Sequence, residues 1–228
     1  MTYTVVIPAA GKGKRMQTTL SKQFIPLFNK PLIVWTLEQF AADPLCQQIV
    51  LVIDQAEEPN IQSILQAHDL LHQVTLVQGG VERQYSVAAG LKATDEHVGI
   101  VLVHDGARPF VTKSIIRRLC EEASRTKAAV AAVRLKDTVK SVTDGVITET
   151  LDRERLWSIQ TPQAFSRDVL LEAHDKAVQD GFLGTDEASL VERIQYPVSI
   201  VEGSYRNIKI TTQEDLIVAE AFMREEQS

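Results

Sequence analysis

The chain has 228 residues, of which 44% are hydrophobic and 24% charged, a balance typical of a globular protein with its own core. The formal net charge of −6 argues against general nucleic-acid binding, which needs clustered lysine and arginine side chains. It does not argue against a small phosphorylated ligand, which needs only a few local cations. No apolar run approaches the roughly 20 residues of a membrane span, and no basic-then-apolar signal opens the chain. We therefore expect a cytoplasmic protein that does not associate with membranes.

Short runs rich in valine and isoleucine predict β-strands that are buried on both faces of a parallel sheet. These runs are residues 5–7, 49–53, 74–77, 100–103 and 128–133. Segments with helical spacing follow at about 31–40, 57–67, 83–93 and 112–125. Pro31 suits a first helical position, and Thr112 suits an N-cap. This alternation predicts an α/β fold with a doubly wound, mainly parallel, Rossmann-like sheet.

The pattern changes after Lys136. Polar and apolar residues alternate over 138–143 and 146–151, and the turn dipeptide Asp144-Gly145 separates the two stretches. This predicts a β-hairpin, which is either an added edge of the sheet or a protruding arm. Alternation resumes at 157–160, and helices at about 167–180 and 185–193, a strand at 198–201 and a helix at about 212–225 follow. We expect one domain over residues 1–228, with a β-arm at about 137–153.

A long loop follows the first strand and carries the first candidate site. It contains Gly11 and Gly13, which let backbone N–H groups approach a phosphate, and a group of cations. The cations are Lys12, Lys14, Arg15 and Lys22. A connection of about 20 residues is far longer than usual in such folds, which favours a functional loop over a tight turn with solvated lysines. Neither a dinucleotide fingerprint nor a Walker-type P-loop is present, because Met16 replaces the third glycine and no Gly-Lys-Ser/Thr occurs.

Two further candidate sites follow strands. Asp105, in His104-Asp-Gly-Ala-Arg-Pro109, directly follows a predicted buried strand, where a carboxylate can hold Mg²⁺ together with phosphate oxygens. Alternatively, Asp105 caps a turn or pairs with Arg108. The segment from Gly79 to Ser86 has paired glycines that allow a base or ribose close to the backbone, although a plain loop-to-helix cap is equally consistent with it.

These motifs together resemble a known family. The loop Pro8-Ala-Ala-Gly-x-Gly-x-Arg15-Met16 with Lys22-Gln23 is similar to the signature loop of sugar-phosphate nucleotidyltransferases. Five further motifs resemble, in order, those of the 2-C-methyl-D-erythritol 4-phosphate cytidylyltransferase family of the non-mevalonate isoprenoid pathway. They are His104-Asp-Gly-Ala-Arg-Pro109, Lys136-Asp-Thr-Val-Lys140, Thr161-Pro-Gln163, Thr185-Asp-Glu-Ala-Ser189 and Asn207-Ile-Lys209.

The resemblance implies a reaction and a role for each matching residue. A phosphate oxygen of 2-C-methyl-D-erythritol 4-phosphate attacks the α-phosphorus of CTP, and pyrophosphate leaves. Arg15 and Lys22 are implied to stabilise charge in the transition state, and Asp105 to hold Mg²⁺. The residues implied to place the nucleotide are Ala9, Ala10, Gly11, Gly13, Gly80, Ser86 and Asp105. Those implied to line the acceptor site are Arg153 and Lys209, on its phosphate, with Thr138, Thr161 and Thr185.

The family also implies a homodimer whose hairpin arms cross, so that Arg153 serves the partner's site. A monomer with plain edge strands is the alternative that the sequence leaves open. One departure is Val81, where many family members carry an acidic residue.

Two other functions remain open at this point. Ribitol-5-phosphate cytidylyltransferases share the fold and loops, but their motifs usually have Ala-Gly-Gly and Ala-Val where this chain has Ala9-Ala10-Gly11 and Gly106-Ala107. A non-catalytic nucleotide-binding regulator on the same fold is expected to have lost some of the charged site residues. This chain keeps Arg15, Lys22, Asp105 and Lys209.

Overall fold

The computed structural model describes residues 1–11 and 24–226. The strands are β1 (Tyr3–Pro8), β2 (Pro26–Leu27), β3 (Lys30–Pro31), β4 (Cys46–Ile53), β5 (Val74–Gln78), β6 (Ile100–Val103), β7 (Ala128–Arg134), β8 (Lys140–Thr143), β9 (Val146–Thr150), β10 (Trp157–Ser166) and β11 (Ser199–Glu202). The helices are α1 (Leu32–Ala41), α2 (Glu58–Ala67), α3 (Arg83–Lys92), α4 (Lys113–Thr126), α5 (Arg167–Gln179), α6 (Glu187–Arg193) and α7 (Gln213–Glu226).

Seven strands form the central sheet, in the order β11-β7-β10-β6-β1-β4-β5. Six of them run in the same direction, and β10 runs antiparallel to both of its neighbours, β6 and β7. In register, Val5 of β1 lies opposite Ile49 of β4 on one side and Leu102 of β6 on the other. The mainly parallel α/β sheet that the valine- and isoleucine-rich runs predict is confirmed.

Helices cover both faces of this sheet because alternate strand residues point to opposite sides. Val5 and Ile7 of β1 pack into a core with α1, α2 and α4. Val6, which lies between them, packs into a second core with α3, α5 and α6. All three side chains are fully buried. The doubly wound arrangement therefore follows directly from near-continuous apolar strands.

Two sequence predictions need correction. Alternation predicted a strand only at 157–160, whereas β10 continues through Pro162 to Ser166. Pro162 argued against a strand at this position, because proline has no N–H group to donate to a neighbouring strand. In the structure, the pairing register with β7 is irregular between Ile159 and Gln163. Pro31 is the N-cap of α1 and not its first helical residue. The N-cap role of Thr112 is confirmed, since its side chain accepts a hydrogen bond from the amide of Ile115.

The predicted hairpin forms as β8 and β9, which make a two-stranded sheet separate from the central one. Asp144 and Gly145 both have positive φ, 50° and 79°, as the tight turn between such strands requires. Val142 lies opposite Ile147 on this hairpin, and their side chains are 57% and 61% exposed. The hairpin is therefore a protruding arm with apolar side chains on its surface.

In the segments described, 1–11 and 24–226, no helix is long and apolar enough to cross a membrane.

The topology brings three loops together. Strands β6, β1, β4 and β5 are neighbours and parallel, so the loops that leave their carboxyl ends meet at one edge of the sheet. Such an edge is where ligands bind in open α/β sheets. The segments that follow β1, β5 and β6 are those in which the sequence placed its candidate sites.

Candidate active site

A cleft of about 240 Å³ opens at the carboxyl ends of β1 and β6, beside the start of α3. Its lining consists of Pro8, Ala9, Ala10, Gly11, Gly80, Val81, Glu82, Arg83, Ser86, Asp105, Gly106, Ala107 and Lys209. Seven of these are residues that the sequence assigned to a site: Ala9, Ala10, Gly11, Gly80, Ser86, Asp105 and Lys209. Residues as distant in sequence as Pro8 and Lys209 therefore converge on one cleft.

Other assigned residues lie elsewhere. Gly13, Arg15 and Lys22 lie outside the described residues. Thr161 is buried, and its hydroxyl accepts a hydrogen bond from the amide of Asp105 at 3.0 Å. Three more assigned residues are exposed and are not part of the described lining: Thr138, Arg153 and Thr185.

Asp105 is the electrostatic centre of the cleft. Its Oδ2 atom is 2.8 Å from Nζ of Lys209 and 3.6 Å from Nε of Arg108, and its Oδ1 atom is 3.6 Å from Nη2 of Arg83. Burial by itself raises the pKa of Asp105, but the charges of Lys209 and Arg83 outweigh it and hold the pKa well below its ordinary value. The carboxylate is therefore ionised throughout the physiological range. The pairing with Arg108 that the sequence left as an alternative is present, as one of three such contacts.

Arg83 connects the cleft to α6. Its Nη1 atom donates to both carboxylate oxygens of Glu187, each at 2.9 Å, while Nη2 faces Asp105. The Glu187 side chain is only 1% exposed, so its charge needs this partner. The bidentate bond fixes the guanidinium on the cleft wall, where it adds positive potential.

The loop after β5 packs closely against the loop after β1. Gly80 donates its amide proton to Oγ of Ser86 at 3.2 Å. A Cβ atom on Gly79 would lie 2.7 Å from Cβ of Ala10 and 2.9 Å from Oγ of Ser86. Glycine at position 79 is thus required by this close approach, which brings Ala10 and Ser86 to the same cleft.

Lys209 is held in place by the segment around it. Arg108 donates from Nη1 to the carbonyl oxygen of Asn207 at 2.6 Å, and the amide of Ile210 donates to the carbonyl oxygen of Ala107 at 2.9 Å. Asn207 is fully buried and donates from Nδ2 to the carbonyl oxygen of Thr161 at 2.8 Å. These bonds tie the segment that carries Lys209 to the Asp105 loop and to β10.

Arg153 lies at the base of the arm. Its guanidinium donates from Nη1 to the carbonyl oxygen of Lys136 at 3.0 Å, and the residue is exposed. The structure therefore places Lys209 in the cleft of its own chain and Arg153 outside that cleft.

Sequence reasoning missed the contributions of Arg83 and Glu187. Arg83 and Glu187 lie within motifs that the sequence singled out, but they are 104 positions apart and only the folded chain shows that they pair. The position of Glu187 could have indicated a buried ion pair, because this acidic residue begins a helix with a buried apolar face. An unpaired carboxylate is rarely buried, so a cationic partner could have been sought.

The fold and the cleft define a class of protein. A mainly parallel α/β sheet with a cation-rich cleft at the carboxyl ends of its strands suits an enzyme that binds a phosphorylated substrate such as a nucleotide. The model of the family described as IspD, 2-C-methyl-D-erythritol 4-phosphate cytidylyltransferase, matches residues 3–225. The chain belongs to this family and is a cytidylyltransferase.

Individual relatives agree with this assignment. The chain is 52% identical over 227 residues to the 2-C-methyl-D-erythritol 4-phosphate cytidylyltransferase of Bacillus velezensis, covering 99% of this chain and 97% of that protein. It is 52% identical over 224 residues to the protein of the same name from Lysinibacillus sphaericus, covering 98% and 96%.

Solved structures are also similar. The 4-diphosphocytidyl-2C-methyl-D-erythritol synthase of Anaerococcus prevotii has a TM-score of 0.86 at 34% identity, covering 98% of this chain and 96% of that one. The 2-C-methyl-D-erythritol 4-phosphate cytidylyltransferase of Thermus thermophilus has a TM-score of 0.83 at 34% identity, covering 98% and 100%.

Proposed function

We propose that this protein transfers CMP from CTP to 2-C-methyl-D-erythritol 4-phosphate, giving 4-diphosphocytidyl-2-C-methyl-D-erythritol and pyrophosphate. An oxygen of the acceptor phosphate forms the new bond to the α-phosphorus, and the bond from that phosphorus to the β-phosphate oxygen breaks. The observation that carries the proposal is the convergence of Arg83, Arg108 and Lys209 on Asp105 in the cleft of a chain with these relatives. The cytoplasmic location of the reaction is part of the same proposal.

The cleft supports this reaction through charge and positioning. Both substrates are phosphorylated, so the reaction brings two anionic groups together, and preorganised cations reduce their repulsion as charge shifts to the leaving pyrophosphate. The backbone at residues 9–11, with Gly80 and Ser86, forms a narrow wall that suits a base and ribose. Gly13, Arg15 and Lys22 are proposed to act on the triphosphate from the loop after β1.

Asp105 is the residue proposed to hold Mg²⁺. In the part of the chain that the structure describes, no group of three or more histidine, cysteine or acidic residues could hold a metal by itself. Mg²⁺ usually takes one or two carboxylates and fills its remaining positions with water and phosphate oxygens, so a single ionised aspartate in a phosphate-binding cleft fits. When bound, the ion would neutralise phosphate charge. Because Lys209 contacts Oδ2 at 2.8 Å, we propose that this lysine turns towards the acceptor phosphate when the metal binds.

The acceptor phosphate is proposed to contact Lys209 of one chain and Arg153 of a second. Lys209 lies in the cleft, whereas Arg153 is exposed at the base of an arm that carries exposed apolar side chains. A homodimer with exchanged arms accounts for both observations, since it covers the apolar pair Val142 and Ile147 and delivers Arg153 to the other subunit. Thr138 and Thr185, both exposed, are proposed to line the same acceptor site.

The proposal is tested by measuring pyrophosphate release with each nucleoside triphosphate and two acceptors, 2-C-methyl-D-erythritol 4-phosphate and ribitol 5-phosphate. We expect release with CTP and the methylerythritol phosphate, at a rate far above that of every other pair. Preference for ribitol 5-phosphate would instead support the alternative function, that of a ribitol-5-phosphate cytidylyltransferase. Nucleotide binding without release in any pair would favour the non-catalytic regulator.

A further inference from the structure

The imidazole of His104 lies beneath the loop that carries Asp105 and Arg108. The ring is fully buried and contacts Phe40 edge-on, with ring centroids 5.1 Å apart. Its Nδ1 atom is 3.1 Å from Oγ1 of Thr161, and its Nε2 atom is 3.0 Å from the carbonyl oxygen of Arg108. Both ring nitrogens are therefore engaged below the cleft, and the residue is not part of the described lining.

The donors and acceptors allow one arrangement of protons. The amide of Asp105 can only donate, and it donates to Oγ1 of Thr161. The carbonyl oxygen of Arg108 can only accept, so Nε2 of the imidazole carries the proton. In a neutral ring Nδ1 is then bare, and it accepts the hydroxyl proton of Thr161. The hydrogen bonds thus run in one direction, from the amide of Asp105 to the carbonyl oxygen of Arg108.

We propose that His104, as its Nε2–H tautomer, and Thr161 are positioning residues for the transfer reaction. Together they join the two ends of the loop 105–108 and so fix the Asp105 carboxylate relative to the Arg108 guanidinium. This inference rests on the proposed function. It gives Thr161 a role from beneath the cleft, in addition to the place in the acceptor-site lining that the resemblance implies.

The remaining backbone groups of the loop leave it little freedom. Oγ1 of Thr36 donates to the carbonyl oxygen of Gly106 at 3.0 Å, and the amide of Arg108 donates to the carbonyl oxygen of Asp105 at 3.0 Å. Removing the Thr161 hydroxyl leaves a buried amide and a buried ring nitrogen without their partner. Such groups are costly, so the loop shifts to recover bonds. A displacement of about 1 Å at a reacting site can reduce the rate about 100-fold.

The test compares Thr161→Val with Thr161→Ser and a matched control, Thr94→Val. Thr94 is also buried, and its hydroxyl donates to the carbonyl oxygen of Leu91 at 2.7 Å and accepts from Nε of Arg167 at 3.1 Å. Each valine variant thus loses one buried hydroxyl with two hydrogen bonds. We expect Thr161→Val to lower kcat about 10- to 100-fold, more than it raises KM for CTP, because transition-state contacts depend most on alignment. Thr161→Ser should restore kcat, and Thr94→Val should keep it despite a similar loss of urea resistance.

A second measurement is independent of activity. Long-range ¹H–¹⁵N spectra of histidine-labelled protein distinguish the two tautomers, and we expect His104 as Nε2–H with a bare Nδ1, altered by Thr161→Val but not by Thr94→Val. An Nδ1–H form, or equal kcat values in the two valine variants, would overturn the inference. If the wild type released no pyrophosphate with any acceptor, the proposed function would fail, and the spectrum would still decide the tautomer.

Discussion

At the scale of single residues, the Asp105 carboxylate faces three cations, Arg83, Arg108 and Lys209. Neutralising Asp105 leaves Lys209 and Arg108 without their shared counter-charge and removes a hard oxygen ligand. We predict that Asp105→Asn lowers pyrophosphate release at least about 100-fold and abolishes its dependence on Mg²⁺. The matched control is Asp54→Asn, because Asp54 also follows a strand of this sheet. Its Oδ1 atom accepts a hydrogen bond from the amide of Ala56, and an asparagine side chain can accept the same bond. If Asp105→Asn retained both rate and metal dependence, Asp105 would have only a structural role.

A buried histidine makes stability depend on pH. Within the described residues 1–11 and 24–226, neither ring nitrogen of His174 on α5 has a hydrogen-bond partner. Burial, together with the charge of Arg83, lowers the pKa of His174 to about 4, while the charge of Asp175 acts in the opposite direction. The folded-state pKa lies below the unfolded value of about 6.5, so the unfolded chain binds the proton first and stability falls as pH drops from 6.5 towards 4.

We therefore predict that His174→Leu makes unfolding less sensitive to acid. Leucine has a similar size, needs no hydrogen bonds and does not titrate. One pH unit of pKa difference corresponds to about 1.4 kcal/mol, so the wild type should lose on the order of 3 kcal/mol relative to the variant between pH 7 and pH 4. Urea unfolding at several pH values measures this. Parallel curves for the two proteins would show that His174 titrates normally in the folded state.

At the scale of elements, the segment after β5 packs against Ala10 in the cleft lining. A side chain on Gly79 collides with Ala10 and Ser86, both in the cleft lining, whereas one on Gly99 meets no atom of the described residues within 4 Å. We predict that Gly79→Ala weakens CTP binding about 10-fold or more, since small displacements at a binding site are costly. Gly99→Ala is the control and should bind CTP as the wild type does. Calorimetric titration of both variants with CTP measures the two affinities. Equal affinities would contradict a role for the close packing at Gly79 in CTP binding.

The arm presents apolar side chains on its surface within one chain. Val142 and Ile147 face each other across β8 and β9 and are more than half exposed. We predict that the double substitution Val142→Thr and Ile147→Thr shifts the protein from dimer towards monomer in sedimentation velocity, because it removes apolar surface while keeping good strand residues. Val178→Thr on α5 alters a similarly exposed valine away from the arm and should leave the dimer intact. A wild type that sediments as a monomer would refute the crossed-arm arrangement.

Some elements of the fold could be predicted from the sequence, and others could not. Strands buried on both faces, such as β4 and β6, leave an apolar run that periodicity detects. The antiparallel insertion of β10 between β6 and β7 leaves no such signal, because strand order is decided by contacts between distant segments. The residues of the cleft could likewise be predicted only in part. Asp105 and its possible pairing with Arg108 could be found from the segment after β6, but the approach of Arg83 and Lys209 to Asp105 depends on the fold.

At the scale of the whole molecule, the two residues proposed to bind the acceptor phosphate, Lys209 and Arg153, do not lie together in one chain's cleft. Lys209 lines it, and Arg153 does not. We predict that Arg153→Ala and Lys209→Ala each lose most activity with the acceptor while CTP binding changes little. Mixing the two variants and allowing subunits to exchange should restore activity, because a heterodimer contains one site with both cations. A mixture no more active than its components, despite demonstrated exchange, would place both residues in the same subunit's site.

In the proposed reaction, CMP is transferred intact from CTP to the acceptor phosphate. The most direct measurement follows CTP labelled at the α-phosphorus through a reaction with 2-C-methyl-D-erythritol 4-phosphate. We predict that the label appears in the cytidine diphosphate-linked polyol, with one unlabelled pyrophosphate released for each labelled product. Label recovered in CMP, which indicates attack by water, or retained in CTP while the acceptor is consumed, would contradict it.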